Sequence, residues 1–121
     1  MQVGAQGERE AYDFLRWRGY RILARNYRRA GVKGEIDLVA WDRDTLVFVE
    51  VKTRNSREVR AAEDAVDASK RRSLIRMARA FRGQARLTGA PYRFDVVSVY
   101  VAEGGRAAIE HFPAAFGERA T

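Results

Sequence analysis

Hydrophobic and polar positions alternate most cleanly over residues 34–41 and 45–52, where β-branched and aromatic residues are enriched and a polar tetrad, Asp42 to Thr45, separates the runs. This pattern predicts a β-hairpin whose side chains sort onto two faces with period two. With an even number of connecting residues, Ile36 opposes Val51, Leu38 opposes Val49 and Ala40 opposes Val47, so one face is wholly apolar. The other face sets Trp41 beside Leu46, Val39 beside Phe48, Asp37 beside Glu50 and Glu35 beside Lys52. An odd connection would place carboxylates opposite core valines, a costly burial of unpaired charge, so the even register is expected.

Helical spacing of Ala11, Phe14 and Leu15 predicts a helix over residues 6–18, closed by Gly19, and residues 20–24 read as a short strand. Residues 25–33 read as a basic turn carrying Arg28 and Arg29. Past the hairpin, residues 53–60 lack periodicity and predict a loop with Arg54 and Arg57, and 62–66 a helical turn. Asp67 is suited to cap a second helix that runs to about Arg82 and stops at Gly83, with Leu74, Met77, Ala78 and Phe81 as its core stripe. Residues 92–102 are apolar on both faces, as in an interior strand. A turn at 103–106 leads to a short strand at 107–112, and 113–121 read as a loose tail. The order αβββαββ describes one α/β domain spanning residues 1–121, a mixed sheet flanked by helices.

Composition narrows the function. The 121 residues include 46% hydrophobic ones and no cysteine, which removes disulfides, thiolate zinc sites and cysteine nucleophiles and agrees with a reducing compartment. Glu8, Arg9 and Glu10 break any signal-peptide-like run near Met1, and no segment reaches the ~20 apolar residues of a membrane span. A cytoplasmic protein without a membrane partner is expected. The net charge is +7, and all but three of the 23 basic residues are arginine. Such a surplus points to a polyanion, nucleic acid ahead of a membrane surface, although arginine richness also arises from genome composition or heat adaptation.

The chemistry concentrates on the hairpin. Directly opposed Cβ atoms lie ~5 Å apart, and at an effective dielectric near 20 two carboxylates there repel by roughly 3 kcal/mol. Lys52, on the same face as Glu50, or a divalent cation held by both Asp37 and Glu50 would offset this; hard oxygen ligands suit Mg²⁺ or Mn²⁺. A solvated charge ladder of Glu35, Asp37, Glu50 and Lys52 is the alternative, and the hydrophobic flank Val39, Trp41, Leu46 and Phe48 argues that this face is partly covered. Glu8 shares the apolar stripe of the first helix, where it is either a third acid aimed at the pair or a first-turn acid favoured by the helix dipole. Lys70 lies one turn before Leu74, aimed inward, as a snorkelling rim lysine or as a phosphate contact. Arg28, Arg29, Arg54, Arg57 and Arg71 are the candidate nucleic-acid contacts, with a solvated surface as the alternative. Asp95 either supports the site or pairs with Arg93.

Ile36-Asp37, twelve intervening residues, and Glu50-Val51-Lys52 resemble the PD-(D/E)xK nuclease superfamily, of restriction-endonuclease-like fold. Gly7-Glu8, residues 19–23 with Asn26, 34–40, 46–54, Ala65-Val66-Asp67 with Lys70, and 93–97 resemble more closely the small bacterial YraN family, which is similar to the archaeal Holliday-junction resolvases. Ile36 stands where the superfamily pattern often has proline. The resemblance implies a restriction-endonuclease-like core, a third acid on the first helix, and a metal-dependent endonuclease. On this reading Asp37, Glu50, the Val51 carbonyl and Glu8 hold Mg²⁺ or Mn²⁺ beside the scissile phosphate of branched or structured DNA, Lys52 assists an attacking water, and Glu35 and Asp95 support them. A two-fold substrate suits a homodimer. The competing reading is a non-catalytic nucleic-acid-binding protein with a nuclease-like fold.

Overall fold

The computed structural model describes residues 3–55, 67–102 and 104–117. Helix α1 (Val3–Trp17) is followed by β1 (Arg21–Arg29), β2 (Val32–Asp42), β3 (Thr45–Asn55), α2 (Ala68–Gln84), β4 (Tyr92–Val101) and β5 (Ala107–Phe116). The five strands form one sheet in the order β1-β2-β3-β4-β5. All neighbours are antiparallel except β3 and β4, which run parallel with α2 between them in the chain. The result is the expected αβββαββ mixed sheet, consistent with a nuclease-like core.

Each sheet face buries one helix. Ala11 and Leu15 of α1 pack with Leu38, Ala40, Val47, Val49, Val51, Val97 and Val99. Leu74, Met77 and Ala78 of α2 pack with Val39, Leu46, Phe48, Phe94 and Val96. Strand β4 is therefore buried without interruption from Phe94 to Val99, the consequence of apolar side chains on both of its faces. Asp67 caps α2 as expected, its carboxylate accepting from the Lys70 N–H at 2.8 Å.

The even hairpin register holds from Asp42 opposite Thr45 to Leu38 opposite Val49. There the β2–β3 ladder stops, so the expected pairs Asp37 with Glu50, Ile36 with Val51 and Glu35 with Lys52 are not ladder pairs. The Val51 N–H, which a β2 carbonyl would otherwise accept, goes to Asp37 Oδ2 at 2.8 Å. Beyond this point β2 continues beside β1, with Tyr27 opposite Ile36, while β3 continues beside β4, with Lys52 opposite Ser98. Ile36 consequently belongs to the α2 core with Tyr27, and not to the apolar face it was expected to share with Leu38.

Three irregular stretches are more regular than expected. Residues 25–29 extend β1 and 32–33 already belong to β2, so the basic turn shrinks to the bend at Ala30 and Gly31. Tyr27 and Val32 pack on the α2 core and hold this arm to the sheet, while its outward arginines hide the strand pattern. Residues 113–116 are not tail but the end of β5, anchored by Phe116, whose ring stacks on Phe94 at 5.0 Å. The loop expected at 53–60 is strand as far as Asn55; its remainder, the helical turn at 62–66, Arg57 and residues 118–121 lie outside the described residues.

Candidate functional site

The fork where β2 leaves β3 collects acids from three elements. Asp37 stands at its apex on β2, and Glu50, two residues past the last paired position of that face on β3, is 3% exposed. Glu8 comes from α1, which can approach because Gly7 is buried against Thr53: a Cβ at Gly7 would collide with the Thr53 hydroxyl. Glu35 comes from β2 itself. One carboxylate oxygen from each of Glu8, Glu35 and Asp37 lies within 4.8 Å of the others. Glu50 contacts Asp37, and its Oε1 is buried without a hydrogen-bond partner.

The cations do not balance this cluster evenly. Lys70 Nζ, from the first turn of α2, lies 3.1 Å from Glu50 Oε2. Arg28 Nε donates to Glu35 Oε1 at 2.7 Å. Asp37 accepts the Val51 N–H, and its burial together with the charges of Glu50 and Glu8 pushes its carboxyl from 3.8 up to about 8. Burial also raises Glu35, but hydrogen bonds from Arg28 and Asn26 outweigh it and hold this carboxyl below the usual range. Burial pulls the Lys70 ammonium down, yet Glu50, Asp37 and Glu35 together hold it above the ordinary lysine value. A cleft of about 580 Å³ opens over Asp37 and Glu35, walled by Arg28, Lys33, Lys70 and the start of α2.

Lys70, expected as a rim lysine or a phosphate contact, stands at the cleft rim, 46% exposed, and pairs there with Glu50. Lys52 is half-buried beside Ser98 and makes no ion pair with Glu50 among the described residues. Arg29 turns to the C-terminal half of α2, donating to Gln84 and the Ala80 carbonyl. Arg71 lies over the Phe116 ring at 5.5 Å, and Arg54 is half-buried in β3.

Asp95 does not join the cluster. It is fully buried beside Val49 on the α1 face, where it accepts from Arg93 Nε and the Ala114 N–H at 2.9 Å and meets His111 Nε2 at 2.7 Å. Burial alone would raise it, but His111, Arg93 and Ala114 outweigh burial and hold it below the usual carboxylate range. Arg93 also binds Tyr20 Oη at 2.8 Å and Asp42 at 3.1 Å, which ties β4 to the hairpin turn. The expected Arg93–Asp95 pair is present, with His111 as a third member that sequence reasoning left out.

Asn26 is the site residue that sequence reasoning missed. Its Nδ2 donates to Glu8 Oε1 at 3.0 Å and to Glu35 Oε2 at 3.2 Å, so one amide aligns carboxylates from α1 and β2. Its backbone is left-handed, φ 51°, a conformation that asparagine tolerates better than most residues. An asparagine amid arginines was the available signal.

The family model described as Uncharacterised protein family UPF0102 matches residues 7–99, a span that holds all four clustered acids, Asn26 and Lys70. A UPF0102 protein of Symbiobacterium thermophilum is 47% identical over 105 residues, covering 87% of each chain. One from Koribacter versatilis is 46% identical over 101 residues, covering 84% of this chain and 70% of its own, and one from Trichlorobacter lovleyi is 44% identical over 115 residues, covering 94% and 89%. With the family model matching most of this chain and such relatives aligned over most of both chains, the chain belongs to the UPF0102 family, the YraN family that its motifs resemble.

Proposed function

We propose that this protein is a divalent-metal-dependent endonuclease acting on DNA, branched or structured DNA in particular. The observation that carries the reading is the fork itself: four carboxylates from α1, β2 and β3 converge beside a cationic cleft, with one buried oxygen, Glu50 Oε1, left without a partner. A purely structural cluster of this kind is costly, because buried acids repel and lose hydration.

The donor set fits a hard cation. Glu8, Glu35 and Asp37 offer oxygens within mutual reach, and Glu50 adds a further one, the chemistry that Mg²⁺ and Mn²⁺ take. Such an ion, when bound, polarises a phosphoryl oxygen and makes a water acidic enough to attack it. The protein's own share is positioning. Asn26 holds Glu8 and Glu35 in register, the Val51 N–H orients Asp37, and Lys70 lies at the cleft where a phosphate oxygen needs a counter-charge. Lys52, next on the Glu50 face of β3, is assigned to orient the attacking water or to neutralise the charge that develops on the phosphate. Lys33 and Arg28 on the cleft wall supply cations for flanking phosphates. A substrate with two-fold symmetry would engage two copies of the chain.

The test is incubation of the purified protein with linear, flapped, single-stranded and four-way-junction DNA in Mn²⁺, Mg²⁺ or EDTA, beside Asp37→Asn and Lys52→Ala proteins. Cutting by the parent alone, abolished by EDTA, is expected. Equal cutting by all three would assign it to a contaminant. Binding that persists in EDTA and in Asp37→Asn, with no cutting under any condition, would establish the non-catalytic reading, which the Lys70–Glu50 and Arg28–Glu35 ion pairs favour because they already neutralise two of the acids.

A further inference from the structure

From Tyr12 to Arg25 the chain carries four arginines, Arg16, Arg18, Arg21 and Arg25, against one acid, Asp13. Among the described residues none of the four pairs with a carboxylate; three of them stack on aromatic rings instead. Arg25 Cζ lies 4.2 Å and Arg16 Cζ 5.5 Å from the centre of the Tyr12 ring, and Arg18 lies 5.5 Å from that of Phe14. Arg16 and Arg21 border a hollow of about 440 Å³ together with Tyr12 and Tyr20. Between Arg16 and Arg18 stands Trp17, 82% exposed. An indole in water confers no stability there, since the apolar stripe of α1, Ala11 and Leu15, is already buried on the sheet.

We infer that this surface, at the C-terminal end of α1 and the start of β1, is a binding site for unpaired nucleotides, with a base on Trp17 and backbone phosphates on Arg16, Arg18, Arg21 and Arg25. Stacked guanidinium groups held by tyrosine present their N–H edges to a phosphate, and an exposed aromatic among cations is the combination that grips single strands without reading sequence. A lipid surface fits less well: α1 has no second apolar face to insert, and one indole is a small anchor. Trp17 lies nine residues along α1 from Glu8, a rise of about 13 Å, so the base-stacking end of the site stands apart from the acid cluster, while Arg25, beside Asn26, marks the end nearest to it.

The experiment is fluorescence anisotropy of a labelled oligothymidylate and of a matched duplex, with the full chain in EDTA at two salt concentrations, so that loss of catalysis leaves the readout intact. Tighter binding of the single strand is expected, about 10-fold weaker in Trp17→Ala and largely restored in Trp17→Phe. The dependence of log affinity on log salt should flatten by about 0.7 for each lost phosphate contact in Arg21→Gln and Arg25→Gln. Melting temperatures of the Trp17 variants should match the parent. Unchanged affinity in Trp17→Ala, equal affinity for duplex and single strand, or binding to anionic vesicles in preference to the oligonucleotide would each overturn the assignment.

Discussion

Asp37 and Asp95 are both sequestered acids of the sheet, and their surroundings treat them in opposite ways. Asp95 is enclosed by Arg93, His111 and the Ala114 N–H, so its charge is matched on the spot and its carboxyl is held low despite full burial. Asp37 has one N–H and, beyond it, Glu50, Glu35 and Glu8; its carboxyl is driven up to about 8. Burial is common to both, so the sign of the shift is decided by who the neighbours are. Both Asp95 oxygens find partners within the chain, and the network holds β4, β5 and the hairpin turn together. The Asp37 cluster is left with excess negative charge, an arrangement suited to a cation from outside the chain.

The largest effect that would sharpen this contrast is on stability. Asp95→Asn leaves the Arg93 and His111 side of a buried network uncompensated, and a loss of about 3–5 kcal/mol is expected from urea unfolding. Asp37→Asn removes a carboxyl that folding forces to stay protonated far above its unfolded pKa, and the metal-free protein should gain about 1–3 kcal/mol in the same measurement at pH 7. A loss there would show that the cluster is structural.

Their pH profiles should slope in opposite directions. The native pKa of Asp37 lies above its unfolded value of 3.8, so the folded state binds the extra proton, and metal-free stability should fall as pH rises from about 4 to about 8. Asp95 is depressed in the folded state. Its contribution is full above the unfolded pKa and is lost as pH falls through the native one. Urea midpoints taken in EDTA across pH 3 to 9 would register both limbs, and Mn²⁺ should flatten the upper one.

A steric change should follow in size. Gly7→Ala puts a methyl into Thr53 and should cost about 1–3 kcal/mol while displacing Glu8. Adding Thr53→Ala removes the colliding hydroxyl and should restore part of the loss. The smallest expected effect is at Asn26: Asn26→Ala leaves the fold intact but frees Glu8 and Glu35. Calorimetry should find Mn²⁺ affinity weakened about 10- to 100-fold, the usual cost of losing an orienting partner. Undiminished affinity would remove Asn26 from the site.

Much of the fold was legible because local pattern and burial agree. Val39 and Phe48 against Leu38 and Val49 specify two faces and hence the register, since a slip of one residue would expose both cores. Asp67, followed by the stripe of Leu74, Met77 and Ala78, marks the start and buried side of α2. The extra length of β1 and of β5 was hidden, because edge strands carry outward arginines, alanines and Pro113 in place of clean alternation, and are held by single inward residues such as Tyr27 and Phe116.

Sequence alone determined the even register that ends at Leu38 opposite Val49, and so placed Asp37 and Glu50 near each other just past the last paired positions. Helical periodicity also set Glu8 and Lys70 in line with the core stripes of their helices, and in the structure Lys70 reaches Glu50 from the exposed first turn of α2. Only the tertiary structure decided that the hairpin forks at Asp37, that Lys70 pairs with Glu50, that Asn26 joins Glu8 to Glu35, and that Asp95 belongs elsewhere. These are contacts between elements distant in the chain. They depend on how closely α1 can approach at Gly7 and on which donors remain unclaimed once the ladders have formed, and no local pattern encodes either.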